Sequence, residues 1–100
     1  MKILVIPNLN GAFQVEQLLP HAKAEIEGVW ELYVQGVVRE IYGRADQPRS
    51  AVLMVESESV EAAKVALSAL PLVRMGALDL EMIPLGPFTN LARLFEAGEQ

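Results

Sequence analysis

The first apolar block of the chain, Ile3 to Ile6, is short, continuous and rich in β-branched residues, and Pro7-Asn8 follows it. Such a run predicts a central strand. Asn8 to Ala12, with two Asn and a Gly, reads as a loop. Helical spacing begins near Phe13 and meets Pro20, which suits the first turn of a main helix. From Pro20 to Val34 the apolar residues Ala22, Ile26, Val29, Trp30, Tyr33 and Val34 recur three and four apart, which predicts one buried stripe. Gly36 stands where a C-terminal cap belongs.

Val37 to Tyr42 and Ala51 to Glu56 predict a strand pair joined through the turn residues Asp46-Gln47-Pro48. Ser57 or Ser59 can cap the next helix, whose core stripe is Val60, Ala63, Leu67 and Leu70 and which Pro71 is expected to end. Leu78 to Leu85 alternates as a last strand, and Phe88 to Ala97 has the spacing of a short amphipathic helix. The order β-α-β-β-α-β plus a C-terminal helix is the ferredoxin-like α+β pattern. Two crossover helices cover one face of a four-stranded sheet. Yet the strands read apolar on both faces, as in Val52-Leu53-Met54-Val55. A second copy of the chain is the simplest cover for the other face.

Composition sharpens this picture. One hundred residues suit a single domain spanning 1–100. A monomer of that size buries only about 65% of its unfolded surface. The chain is nevertheless 52% hydrophobic, and a subunit interface is a natural place for the surplus. A net charge of −5 with scattered basic residues argues against nucleic acid as a partner. No apolar run approaches the roughly 18 residues that would span a membrane. The N-terminal run is too short for a signal peptide, and there is no cysteine. A cytoplasmic location is the resulting expectation, and thiolate chemistry and Cys-based metal sites are excluded.

Ser68-Ala69-Leu70-Pro71-Leu72, then Met75, then Leu80-Glu81-Met82-Ile83-Pro84-Leu85 resembles the corresponding segments of muconolactone isomerases. Val55-Glu56-Ser57 is similar to the same family at the end of its third strand. The block Trp30-Glu31-Leu32-Tyr33 through Gly36-Val37-Val38-Arg39-Glu40-Ile41-Tyr42 resembles another branch of that superfamily. The resemblance implies a dimeric α+β barrel, with sheets packed face to face and a C-terminal segment that reaches a neighbouring subunit. It also implies a proton-shuttling isomerase acting on a small lactone carboxylate. After the last strand this chain has Gly86-Pro87-Phe88-Thr89, without the Arg and His found there in true muconolactone isomerases.

Candidate chemistry is sparse. His21 is the only histidine, and a lone His without Cys argues against a transition-metal site. His21 and Glu25, one helical turn apart, could form an acid–base pair or stand as a solvated helix start. Alternation puts Arg39 on one face of its strand and Glu40 with Tyr42 on the other. A charge on a strand buried on both sides needs a partner. Arg39 therefore either clamps a substrate carboxylate, with Glu40 or Tyr42 handling protons, or forms an interface ion pair. Trp30 and Tyr33 are core residues by spacing whose polar tips could line a pocket. Asp79 and Glu81 read as an exposed acidic strand face. No phosphate-binding glycine fingerprint is present.

The leading expectation is a cofactor-independent isomerase or lyase-type enzyme. His21, Glu25 or Glu40 would move a proton, and Trp30, Tyr33, Arg39 and Tyr42 would hold a small organic acid or lactone. One alternative is a non-catalytic oligomeric ligand-binding or accessory domain. Another, resting on fold analogy alone, is a cofactor-free monooxygenase.

Overall fold

The structure is a computed structural model that describes residues 1–96. Strand β1 (Lys2–Leu9) leads into helix α1 (Val15–Leu18), a 3-10 turn (Leu19–His21) and helix α2 (Ala22–Val34). Strands β2 (Val38–Gly43) and β3 (Ala51–Glu56) form a hairpin, followed by α3 (Val60–Leu67) and α4 (Pro71–Arg74). Strand β4 (Leu78–Leu85) and a 3-10 segment (Thr89–Phe95) complete the described chain. The sheet order is β2-β3-β1-β4 with every pairing antiparallel, the topology expected for βαββαβ. The helix expected from Phe88 to Ala97 is a 3-10 segment as far as Phe95, and Ala97 lies outside the described residues.

Three prolines depart from their expected roles. Pro7 does not close β1 but lies within it, opposite Leu80 of β4. Pairing with β3 has already ended at Val5, so that flank of β1 is open and tolerates a residue without an N–H. Pro71 does not simply end the preceding helix. It starts α4, where the missing N–H is one the helix would leave unsatisfied anyway. Pro20, expected in the first turn of the main helix, lies instead in the 3-10 turn before α2. Ser59 Oγ accepts from the Ala62 N–H at 3.0 Å. After α2 the Val37 N–H bonds the Leu32 carbonyl and the Gly36 N–H bonds that of Tyr33. Gly36 sits between them at φ +83°, which completes a Schellman cap.

Register assigns the two sheet faces. Ile3 opposes Val55, Val5 opposes Leu53, and Val38 opposes Val55. These residues are buried beneath the helices together with Leu32, Ala63, Leu67 and Leu70. A register shift between Val38 and Glu40 leaves Arg39 as a bulge residue. The bulge keeps Ile41 on the helix side and turns Glu40 and Tyr42 to the other face. On that face Leu4, Ile6, Val52 and Met54 are half-buried, Ile83 and Leu85 are exposed, and no described helix lies over them.

Helix α2 is turned differently from its hydrophobic pattern. Ile26, Trp30, Tyr33 and Val34 are exposed rather than buried. The inward stripe is Glu25, Gly28, Val29 and Leu32, at i, i+3, i+4 and i+7. Gly28 explains the rotation, because a Cβ there would lie 2.8 Å from Leu70 Cδ2. A glycine on the stripe lets the helix approach Leu70 closely, and that turn of the helix carries Glu25 inward.

The Gly36 cap provides the test of this account of α2. Gly36→Ala should lower stability by about 1–2 kcal/mol, because alanine is strained at positive φ. Urea unfolding of the two proteins measures it, and an unchanged midpoint would contradict the cap.

Candidate functional site

Between α1–α2 and the sheet lies an open cavity of about 490 Å³, within the range of small-molecule sites. Its floor includes Pro7, Leu53 and Leu80, and its helical wall includes Leu18, Ile26 and Trp30. The polar and charged residues lining it are Glu25, Arg49 and Ser50. Glu25 stands on the face of α2 that turns toward the core, which places its carboxylate in the cavity wall.

Glu25 is half-buried. One of its carboxylate oxygens accepts the Leu72 N–H at 2.8 Å. Leu72 follows Pro71 in the first turn of α4, where backbone N–H groups lack helical partners. By itself this bond is a helix cap supplied from another helix. Desolvation raises the Glu25 pKa above the ordinary carboxylate value, and the bond to Leu72 opposes it only in part. A carboxyl whose pKa is raised by burial holds its proton to a higher pH than a free carboxyl does.

The other expected site residues are dispersed. His21 is half-buried at the end of the 3-10 turn, does not line the cavity and makes no hydrogen bond to Glu25. Trp30 lines the cavity and stacks on Tyr33, with ring centroids 5.4 Å apart and planes at 23°. Tyr33 faces a second, shallower depression of about 430 Å³, shared with Trp30, Arg39, Glu40 and Tyr42. Arg39 was expected to need an acid or a ligand. It is exposed instead, and its Nε donates to the Gly36 carbonyl at 2.6 Å. The Tyr42 hydroxyl donates to Glu40 at 2.7 Å, and this bond raises the Tyr42 pKa. Glu40 and Tyr42 therefore share a face, as alternation indicates, but not the cavity that holds Glu25.

Two contributors escaped the sequence reading. Arg49 and Ser50 reach the cavity from the β2–β3 turn, and the only prior signal was Pro48 as a turn former. The Leu72 backbone is the other, and its signal was the Leu70-Pro71-Leu72 sequence, which places an N-terminal turn beside α2. Among the described residues no three His, Cys, Asp or Glu side chains gather as a metal-binding group. No described helix is long and apolar enough to cross a membrane.

No protein-family model matches the chain, and no curated protein sequence matches it. Solved structures do. Muconolactone isomerase aligns over 87% of this chain and 90% of its own, with 22% identity and a TM-score of 0.68. The 5-chloro-2-hydroxyhydroquinone dehydrochlorinase TftG from Burkholderia phenoliruptrix AC1100, in complex with 2,5-dihydroxybenzoquinone, aligns over 86% of this chain. It covers 94% of that chain at 10% identity and a TM-score of 0.66. The chain thus has the muconolactone isomerase-like α+β fold.

The raised Glu25 pKa sets a pH dependence. The folded state binds the Glu25 proton more tightly than the unfolded state does. Its stabilising effect is full below the unfolded carboxyl pKa and is lost as pH rises through the folded value. Glu25→Gln keeps an acceptor for Leu72 but cannot titrate. Lowering the pH from 7.5 to 5 should therefore favour wild type over this variant in paired urea unfolding. A stability difference that does not move with pH would show that the carboxyl is not desolvated.

Proposed function

We propose that the protein is an isomerase or lyase-type enzyme that moves a proton on a small carboxylated organic molecule such as a lactone. The observation that carries this reading is Glu25, a half-buried carboxyl in a largely apolar cavity large enough for a ring-sized ligand. A carboxylate there can remove a proton from a carbon next to a carbonyl. The same group, now protonated, can return the proton two carbons along the conjugated system, which is an isomerisation. If a leaving group departs from the neighbouring carbon before the proton returns, the same first step becomes an elimination. Neither sequence needs a cofactor. The fold is also that of a lactone isomerase and of a dehydrochlorinase, enzymes whose names correspond to these two outcomes. Trp30, on the cavity wall, would pack against the flat part of the substrate.

The functional unit in this reading is a homodimer or larger assembly. A compact monomer of this mass exposes about 5,600 Å², whereas this chain exposes 7129 Å². The radius of gyration is 17.1 Å, against about 13 Å for a compact chain of 100 residues. The excess area exceeds the roughly 800 Å² that each partner contributes to a standard interface. Apolar residues on the open sheet face supply its centre. Arg39, Glu40 and Tyr42 lie outside the cavity, which supports a role for them in this contact rather than in the chemistry.

Two outcomes are expected. Incubating the protein with muconolactone in D₂O should give enzyme-dependent deuterium uptake by NMR. Glu25→Gln should slow it roughly 10²–10⁴-fold, the contribution typical of a positioned general base. Full exchange in the variant would remove Glu25 from the reaction. Met54→Lys, on the open sheet face, should dissociate or unfold the assembly, because an isolated buried charge costs several kcal/mol. An unaltered sedimentation profile would show that this face is not the interface.

A further inference from the structure

We infer that Arg49 is the specificity-determining residue of the cavity: its guanidinium, at the mouth, holds the ligand's carboxylate while the apolar part lies inward beside Glu25. The inference rests on the functional reading above and adds a residue and a ligand orientation to it. Three observations carry it.

The first is the composition of the cavity. Its lining is nearly all apolar, with Glu25 and Arg49 as the charged residues. Glu25 repels an anion when ionised, and Arg49 is the lining residue of opposite charge.

The second is the backbone. Gln47, Pro48, Arg49 and Ser50 form a turn closed by the Ser50 N–H on the Gln47 carbonyl at 3.2 Å. Pro48 takes the second position and Arg49 the third, at φ +69°. This is the positive φ of a type II turn, where glycine or asparagine is the ordinary occupant. Arg49 is the one non-glycine residue with positive φ among those described. An arginine is thus held where the turn itself would favour a glycine, and such strain marks positions kept for something other than stability.

The third is pairing. Arg44, on the same hairpin, is satisfied by Asp46 through bonds of 2.9 and 2.6 Å. Arg49 has no acidic partner among the described residues. Its planar donor fork, suited to a carboxylate held by two bonds, belongs to an exposed residue that lines the cavity.

The test compares acids with their methyl esters. Muconolactone and phenylacetate, each beside its methyl ester, are titrated against quenching of Trp30, the only tryptophan and a cavity residue. Wild type should bind each acid more tightly than its ester. Arg49→Met should reduce that preference roughly 10–100-fold, as expected for loss of hydrogen bonds to a charged group, while leaving ester binding within about twofold. Arg49→Lys should restore part of the preference, and Arg39→Met should not alter it. Arg49→Gly should fold with unchanged or higher stability, which separates ligand loss from unfolding. Equal binding of acid and ester by wild type, binding of neither acid, or an unchanged preference in Arg49→Met would overturn the inference. The deuterium-exchange result for Glu25→Gln stands apart from all of these, so failure of the clamp and failure of the proton-transfer reading are distinguishable.

Discussion

A four-stranded sheet has two faces, and among the described residues helices cover only one of them. Ile3, Val5, Leu53 and Val55 are sealed beneath α2 and α3. Across the same strands Leu4, Ile6, Val52 and Met54 are left half-covered. Apolar surface on a sheet face stays favourable only when water is excluded from it. The described helices are already committed, and a second copy of the chain is the cover proposed above. The assembly proposed for the protein follows from this one shortage.

Glu25 enters the cavity wall through a second, smaller compromise on the covered face. Helix α2 lies close against Leu70 at Gly28, and that rotation brings Glu25 rather than Ile26 or Trp30 toward the core. The carboxylate is tolerated because the first turn of α4 offers it the Leu72 N–H. One bond from a neutral donor does not replace full hydration, so the group keeps a raised pKa. Packing and candidate chemistry therefore meet at one residue. The glutamate that caps the first turn of α4 is also the group proposed to carry the proton.

Much of the fold was legible in the sequence. Strand periodicity, the Gly36 cap, the Ser59 cap and the stripe on α3 each follow from local rules, and their order leaves few topologies. The face of α2 was not legible. Hydrophobic spacing favoured Ile26, Trp30 and Tyr33, and it gives no weight to a glycine that permits close approach or to a glutamate that finds a backbone donor 47 residues away. The bulge at Arg39 was hidden for a related reason, since alternation alone cannot show where a register shifts. The site was legible only in part. Glu25 and Trp30 line the cavity, whereas Arg39, Glu40 and Tyr42 lie together on the far side of Trp30. Arg49 was invisible because its position depends on how a turn closes, which spacing along the chain does not encode.

The proposed association of two copies through the open sheet face is tested most directly by sedimentation equilibrium of the wild-type protein at micromolar concentration. The expected result is a folded species of at least twice the 11.0 kDa chain mass. A well-folded monomer of 11.0 kDa, with cooperative unfolding and no association as concentration rises, would contradict it. The open sheet face would then have to be stable in water as it stands.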